Sequence, residues 1–487
     1  MSGVNLQDQN LFRQQCYIGG QWVDADGGAT LEVVNPADQQ VLGTVPDMAE
    51  AETRGAIAAA REGFEVWRKK TAAERGEVLY RWYELMMAHQ DDLGRLMTLE
   101  QGKPLPEAKG EIAYAAGFLK WFAEESRRAY GDTIPAAKPG QHIVVIKQPV
   151  GVSVAITPWN FPSAMITRKA GAALAAGCSM VVKPAAETPY SALALAELGE
   201  RAGLPNGVLN VITGDAVRIG QTLTSSATVR KLSFTGSTEV GRKLMAQCAE
   251  HVQKISLELG GNAPFLVFDD ADLDEAVEGA MASKFRNTGQ TCVCANRFLV
   301  QEGVHDAFVE KLKTAMQKTL RVGNGLEEGV NQSALINQAA VDKVDEHLRD
   351  AVGKGARLIL GGEAHPLGGT YVQPALLTGV TPDMQLCHEE TFGPVAAVMK
   401  FQTEEEAIRL ANDTPYGLAS YFYSRDIHRV WRVAEALEAG IVGINEGLIS
   451  NPVAPFGGVK ESGIGREGSK YGMEEYLEVK YLCMGGE

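Results

Sequence analysis

Cysteine is scarce in this chain: seven in 487 residues, with no paired framework among them. A disulfide-stapled scaffold is therefore excluded, and a reducing compartment is expected. The opening Met1-Ser2-Gly3-Val4-Asn5-Leu6-Gln7 has no basic, apolar or cleavage region, so that compartment is expected to be the cytoplasm. Basic residues are in deficit, 46 against 61 acidic ones, for a formal charge of −15. This balance argues against nucleic acid or an anionic membrane as partner, while leaving room for a local basic pocket that holds a small anion. Long apolar runs are missing too. The segment around Ala170 to Ala176 is short and follows Arg168 and Lys169, far from the roughly 18 residues of a spanning helix. Eight scattered histidines and a single Cys-x-Cys give no tetrahedral zinc set, so no metal is expected. What remains is an ordinary globular composition, 45% hydrophobic and 22% charged, on a chain long enough for roughly three domain-sized units.

Up to about Asp132 the pattern is helix-rich, with apolar residues at helical spacing over Ala49 to Trp67, Ala72 to Met97 and Ala108 to Tyr130. Pro135 to Gly151 breaks it and contains a strand, His142 to Lys147. From Val152 strands and helices alternate, predicting a parallel sheet covered by helices. Strands are expected at Val152 to Ile156, Ser179 to Val182, Leu209 to Ile212 and Lys231 to Phe234. Pro162 opens one helix; Thr188-Pro189 offers a cap and first-turn proline for another, which Gly203 can close. A second alternating series follows Gly261. It has strands at Pro264 to Phe268, Arg297 to Val300, Arg357 to Leu360, Val395 to Phe401 and Gly440 to Ile444, and a helix at Asp272 to Arg286. Thr403 and Glu406 form a capping box, and Tyr476 to Met484 alternates as a terminal strand.

Asn287-Thr288-Gly289-Gln290-Thr291-Cys292-Val293-Cys294 sets a cysteine among polar and small residues, downstream of Glu258-Leu259-Gly260-Gly261. A thiol nucleophile and a carboxylate base are the two reagents needed to make and then hydrolyse a thioester. Each feature also has a plainer reading. Cys292 would be an inert packed thiol, Glu258 a salt-bridged acid, and Asn160 a helix cap. Gly236-Ser237-Thr238-Glu239-Val240-Gly241 follows a strand and opens a helix, but lacks the Gly-x-Gly-x-x-Gly dinucleotide spacing and would serve equally as a simple turn.

In order along the chain, Thr157-Pro158-Trp159-Asn160-Phe161-Pro162, Val182-Lys183-Pro184-Ala185, Phe234-Thr235-Gly236-Ser237, Leu257-Glu258-Leu259-Gly260-Gly261, Gly289-Gln290-Thr291-Cys292 and Glu389-Glu390-Thr391-Phe392-Gly393-Pro394 resemble the motifs of the aldehyde dehydrogenases. Pro455-Phe456-Gly457-Gly458-Val459-Lys460-Glu461-Ser462-Gly463 adds a further one, and the likeness spans nearly the whole chain. Arg286 to Cys294, with its Cys-Val-Cys, and Gly447-Leu448-Ile449-Ser450 are most similar to the succinate-semialdehyde group within that family. One segment departs, Val330-Asn331-Gln332-Ser333-Ala334-Leu335-Ile336-Asn337, where relatives carry a Gly-Pro pair; no function is assigned to it.

The resemblance implies an α/β, aldehyde dehydrogenase-like fold. It would have a doubly wound parallel-sheet cofactor domain (residues 11–132 and 152–258), an α/β catalytic domain (259–472) and a β-strand oligomerisation arm (133–151 and 473–487) joining a homodimer or homotetramer. Cys292 would be the nucleophile, Glu258 the general base, and Asn160 with the Cys292 N–H the oxyanion donors. Ile156, Thr157, Trp159, Lys183, Ala186, Gly236, Ser237, Glu390 and Phe392 would meet the cofactor. Gly260 and Gly261 would let the backbone bend beside it. Ala186 stands where NAD-preferring relatives often carry a ribose-binding glutamate. Its small side chain leaves room for a 2′-phosphate, so NADP is expected to be preferred, with NAD usable. Arg168, Arg286 and Ser450 would hold the distal carboxylate of succinate semialdehyde. Glutarate semialdehyde, one methylene longer, is the rival substrate. Broad aldehyde oxidation is disfavoured by the two arginines. A pure thiol-redox protein would leave the cofactor motifs unexplained, and a non-catalytic relative would show the loss of Cys292, Glu258 or Asn160. Cys294 is either a packed residue or a redox-switch partner for Cys292, which would require the loop to bend.

Overall fold

The computed structural model describes residues 4–486, whose strands fall into four sheets. At the centre of the eight-stranded sheet run five parallel strands in the order Lys254–Glu258, Val229–Thr235, Val152–Ile156, Ser179–Lys183 and Leu209–Val211. The chain winds outward from Val152–Ile156 in one direction, then returns and adds Val229–Thr235 and Lys254–Glu258 on the other side. This reversal opens a crevice beyond the carboxyl ends of Val152–Ile156 and Val229–Thr235, where doubly wound sheets take their ligands.

The seven-stranded sheet runs Arg357–Leu360, Ala375–Thr378, Val395–Phe401, Ala295–Gln301, Ala263–Val267, Ala419–Tyr423 and Ile441–Ile444, parallel except for its first pair. Glu258 ends a strand of the first sheet, and five residues later Ala263 begins a strand of the second. The carboxyl ends of one sheet thus meet the amino ends of the other. Gly463–Ile464, late in the chain, pairs with Leu257 and Glu258 and closes that edge of the first sheet. A separate three-stranded sheet pairs Gln141–Pro149 with Leu477–Gly485 and Asp132–Ile134. Among the described residues no helix is long and apolar enough to cross a membrane.

The Pro162–Ala176 helix is buried along its whole length, so its rotation is fixed from every side. Trp67 Nε1 donates to the Leu174 carbonyl at 2.8 Å, and a Cβ at Gly171 would stand 3.1 Å from the Phe122 ring. Turning this helix would cost core contacts worth about 1.5 to 3 kcal/mol per large apolar side chain exposed.

Several sequence expectations are corrected. The run Ala72 to Met97 is two helices, Ala72–Ala88 and Gln90–Gln101, because His89 (φ −106°, ψ 19°) leaves helical geometry while both pieces keep burying their apolar faces in one cluster. The chain before Ala49 carries four strands, Cys16–Ile18, Gln21–Val23, Thr30–Val34 and Val41–Pro46, too short to establish a period. Thr188 makes no side-chain cap. Its place is taken by the Glu100 carboxylate, which accepts from the N–H groups of Tyr190 and Ser191 at 2.8 Å each. The Thr403 capping box is half present: Thr403 Oγ1 accepts from Glu406 N, but Glu406 Oε2 takes Gln402 N instead of the cap's own.

Candidate active site

The turn after Val152–Ile156 carries Thr157 to Phe161 into the crevice. Asn160 is buried there; its Oδ1 accepts from the Phe161 N–H at 3.1 Å, and its Nδ2 donates toward the Gln290 carbonyl at 3.4 Å. The oxygen braces the asparagine's own turn, so the NH2 group is the end that faces the cysteine loop. In that loop Asn287 and Thr288 hold left-handed backbones (φ 50° and 55°), a conformation that costs about 1 to 3 kcal/mol unless its surroundings enforce it. Glu107 Oε2 accepts from Asn287 N at 2.6 Å, while Asn287 Nδ2 bridges the carbonyls of Asn160 and Gln290 at 3.1 Å each.

Cys292 Sγ donates to Glu258 Oε1 at 3.5 Å, bringing nucleophile and base together. The other carboxylate oxygen of Glu258 accepts from Thr235 Oγ1 at 3.2 Å and pairs with the buried Arg168 guanidinium. Arg168 also pairs with Glu467, and its guanidinium carbon stands 4.4 Å from the Phe456 ring centre. Next along the helix, Lys169 Nζ donates to Thr235 Oγ1 at 2.6 Å and pairs with Glu467. Burial pushes the Cys292 thiol up to about 11, with Arg168 and Arg286 pulling the other way. Burial also pulls Lys169 down to about 8, outweighing Glu467.

On the crevice side, Ile156 pairs with Lys183 across adjacent strands, and Thr157 N donates to the Lys183 carbonyl at 3.1 Å. Lys183 is buried with no carboxylate in ion-pair range among the described residues, and the Thr157 hydroxyl is buried without a partner. Gly236 N donates to the Glu258 carbonyl at 3.1 Å; Ser237 Oγ then caps the Thr238–Cys248 helix through Val240 N at 3.3 Å. A cation without its anion, an unpartnered hydroxyl and a helix N-terminus at one switch point suit a dinucleotide phosphate. Ala186 is exposed beside them. Across the site the Trp159 and Phe392 rings meet edge to face at 5.5 Å, Phe392 with φ 53°. Glu390 Oε1 accepts from Gly261 N at 3.4 Å, and burial pushes its carboxyl up to about 8.

A family model described as the aldehyde dehydrogenase family matches residues 22–482. The chain belongs to the aldehyde dehydrogenase family. It is 64% identical to a glutarate-semialdehyde dehydrogenase of Pseudomonas aeruginosa over 99% of this chain and 100% of the relative. It is 62% identical, over the same shares, to an NADP(+) succinate-semialdehyde dehydrogenase of Escherichia coli. The crystal structure of a succinate-semialdehyde dehydrogenase from Burkholderia pseudomallei superposes with a TM-score of 0.98 at 61% identity, covering 99% of this chain and 100% of that one. The doubly wound sheet, the second α/β layer and the strand arm are thus the architecture of aldehyde dehydrogenases.

In this aldehyde dehydrogenase the two arginines differ. Arg286 is half-buried, makes no ion pair among the described residues, and lies against Phe161 with its guanidinium carbon 5.2 Å from the ring centre. Arg168, expected at the substrate's distal carboxylate, is buried and committed to two carboxylates, those of Glu258 and Glu467. Ser450 is half-buried and follows Ile449, which packs on the same apolar cluster as Cys292. Cys294 is buried and donates to the Lys284 carbonyl at 3.4 Å, so the two thiols have separate partners. Gly260 and Gly261 have no left-handed backbone; they are glycine because of close approach. A Cβ at Gly261 would stand 2.7 Å from the Cys292 carbonyl oxygen, and one at Gly260 would stand 3.3 Å from Glu390 Oε2.

Sequence reading missed Thr235, Lys169, Glu467 and Asn287. An alternating polar file on Val229–Thr235, with Lys231, Ser233 and Thr235 on one buried face, was the available signal. The departing segment Val330 to Asn337, left without a role, supports the cysteine loop: Ser333 N donates to Thr288 Oγ1 and Ile336 N to Gln290 Oε1, both at 3.0 Å.

Proposed function

We propose that this aldehyde dehydrogenase oxidises succinate semialdehyde to succinate, with NADP preferred over NAD, through a thiohemiacetal and a thioester on Cys292. The observation that carries the reading is the convergence of Cys292, Glu258 and Asn160 beside an uncommitted Arg286. Cys292 Sγ attacks the aldehyde carbon as its proton passes to Glu258, the acceptor it already faces. Asn160 Nδ2 and the Cys292 N–H receive the charge that develops on the substrate oxygen, a term worth about 3 to 4 kcal/mol per donor in comparable sites. The chemistry that NADP supplies when bound is acceptance of the hydride. Thr157, Lys183, Gly236 and Ser237 would hold its adenosine-phosphate half, with Ile156 beside them, and Trp159, Glu390 and Phe392 its nicotinamide half. Glu258 then releases the thiol's proton to solvent, and the regenerated carboxylate deprotonates the water that hydrolyses the thioester, the proton it takes returning to Cys292 Sγ as the sulfur leaves.

Arg286 offers its planar fork to the distal carboxylate, with Ser450 as a further donor. Arg168 adds positive charge beneath the same pocket and reaches substrate only by sharing its guanidinium with Glu258 and Glu467. An NADP-linked succinate-semialdehyde dehydrogenase at 62% identity supports both substrate and cofactor. A glutarate-semialdehyde dehydrogenase at 64% identity favours the second reading, the longer C5 substrate. One methylene is worth only about 1 to 3 kcal/mol, so both substrates are expected to turn over. The reading further assigns residues 11–132 and 152–258 to the cofactor, 259–472 to catalysis, and 133–151 with 473–487 to a subunit-joining arm, in a cytoplasmic homodimer or homotetramer.

The test is a matrix of kcat/KM for C4 and C5 semialdehydes and a simple aliphatic aldehyde against NADP and NAD. Expected is the highest value for succinate semialdehyde with NADP, and in Arg286→Ala a KM raised at least about tenfold for the carboxylated substrates only, the scale of one lost charge-assisted hydrogen-bond pair. Equal losses for all aldehydes would overturn carboxylate recognition, a higher value for NAD the argument from Ala186, and no turnover of any aldehyde the whole reading.

A further inference from the structure

Below the Asn160 turn lies a buried ion pair that the chemistry so far does not use. Lys103 sits in the loop between the Gln90–Gln101 and Leu105–Glu125 helices; Glu111 is on the second of these. Both side chains are buried and pair with one another. Both spend their remaining bonds on the backbone around Phe161. Lys103 Nζ donates to the Asn160 carbonyl at 2.9 Å and stands 3.8 Å from the Phe161 ring centre. Glu111 Oε1 accepts from the N–H groups of Ser163 and Ala164 at 3.0 and 3.2 Å, capping the first turn of Pro162–Ala176. One pair therefore grips the backbone on both sides of Phe161. Asn287 Nδ2 donates to that same Asn160 carbonyl at 3.1 Å, tying the grip to the cysteine loop.

We propose that Lys103 and Glu111 are positioning residues that fix the Asn160 turn so that its amide faces the Cys292 loop. A buried ion pair contributes little net stability, because desolvation offsets attraction, and an apolar pair of similar volume would serve a core as well or better. What the pair provides here is direction. A cation on the carbonyl of one residue and an anion on the amides just beyond Phe161 leave the intervening turn no freedom to rotate, and a displacement of about 1 Å at such a group costs on the order of 100-fold in rate. The proposal rests on the reading of Asn160 as an oxyanion donor.

Lys103→Met alone leaves a buried carboxylate unpaired and is the variant most prone to misfold. Lys103→Met with Glu111→Gln removes both charges and keeps an amide oxygen for the Ser163 and Ala164 N–H groups. In the full-length protein with NADP and succinate semialdehyde, this double variant is expected to keep its NADP affinity and secondary structure while kcat/KM for the aldehyde falls between about tenfold and about 100-fold. Lys103→Arg, which retains a cation and donors, is expected to recover most of that loss. The deciding measurement places the same two substitutions in Asn160→Ala. If the pair acts through the amide, kcat/KM falls there by no more than about twofold further, whereas independent effects multiply. A full multiplicative loss in the Asn160→Ala background, or an unchanged kcat/KM in the double variant, overturns the positioning role. An Asn160→Ala enzyme as active as the parent overturns the underlying reading first, and the pair's role with it.

Discussion

At Cys292 the chemistry turns on where one proton sits. A thiol that burial has pushed up to about 11 is neutral at physiological pH, and in the proposed reaction the carboxylate oxygen 3.5 Å away takes its proton. Burial disfavours the charged form, so for an acid the shift is upward and thiolate accumulates only as pH rises toward the raised value. Alkylation of Cys292 by iodoacetamide in the cofactor-free protein is accordingly expected to accelerate about tenfold per pH unit from pH 7 to pH 10. A plateau below pH 9, followed by mass spectrometry of the Cys292 peptide, would show that Arg168 and Arg286 outweigh burial. The sequence made Cys292, Glu258 and Asn160 legible because each sits in a short motif whose neighbours are local. Arg168 was only half legible. Its partner Glu467 comes from the far end of the chain, and no local pattern announces a pairing that exists only after folding.

The same division between local and distant partners governs the elements. Strands buried on both faces, such as Val152–Ile156 and Ser179–Lys183, stood out as continuous apolar runs, whereas Lys254–Glu258 escaped notice because it buries Ser256 and Glu258 on one face. The Pro189–Arg201 helix shows why a cap motif can be present and idle. Thr188 has the right chemistry, but its hydroxyl has no partner, while Glu100 reaches both first-turn N–H groups from another helix. Thr188→Ala removes a buried hydroxyl without a partner and one buried methyl group, so it is expected to cost no more than about 1 kcal/mol. Glu100→Ala, which leaves two buried N–H groups without an acceptor, should cost about 1 to 3 kcal/mol in denaturant unfolding. Glu100→Gln removes the charge and keeps an acceptor for only one of the two N–H groups, since Tyr190 N and Ser191 N bond different carboxylate oxygens. Burial raises the Glu100 carboxyl from 4.5 to about 8 in the folded protein, so the parent loses stability relative to Glu100→Gln as pH climbs through that interval. A Thr188→Ala variant as damaged as Glu100→Ala, or a pH-independent difference between the parent and Glu100→Gln, would contradict this account.

On the scale of the whole molecule, the three-stranded sheet sits apart from the logic of the other two. Gln141–Pro149 and Leu477–Gly485 pair in register from Pro149 with Leu477 to Gln141 with Gly485, yet the second of these is an edge strand, and Val479, Tyr481 and Met484 are 69%, 59% and 50% exposed. An unprotected edge carrying apolar side chains is a liability in a lone chain, since its free N–H and C=O groups invite another strand. The sequence showed that both strands exist, but not that Leu477–Gly485 leaves its outer edge open, because pairing within a sheet leaves no periodicity of its own. If the arm joins subunits, Val479→Asp with Tyr481→Asp places two charges in the contact and should shift light-scattering mass from dimer or tetramer toward monomer. The Cys292 site lies between the two large sheets and draws no side chain from Leu477–Gly485, so the dissociated protein should still show the secondary structure of the parent by circular dichroism. An unchanged mass in the double variant would remove this strand from the interface. A monomeric parent would remove the arm's proposed role altogether and leave its exposed edge as a surface that the chain tolerates.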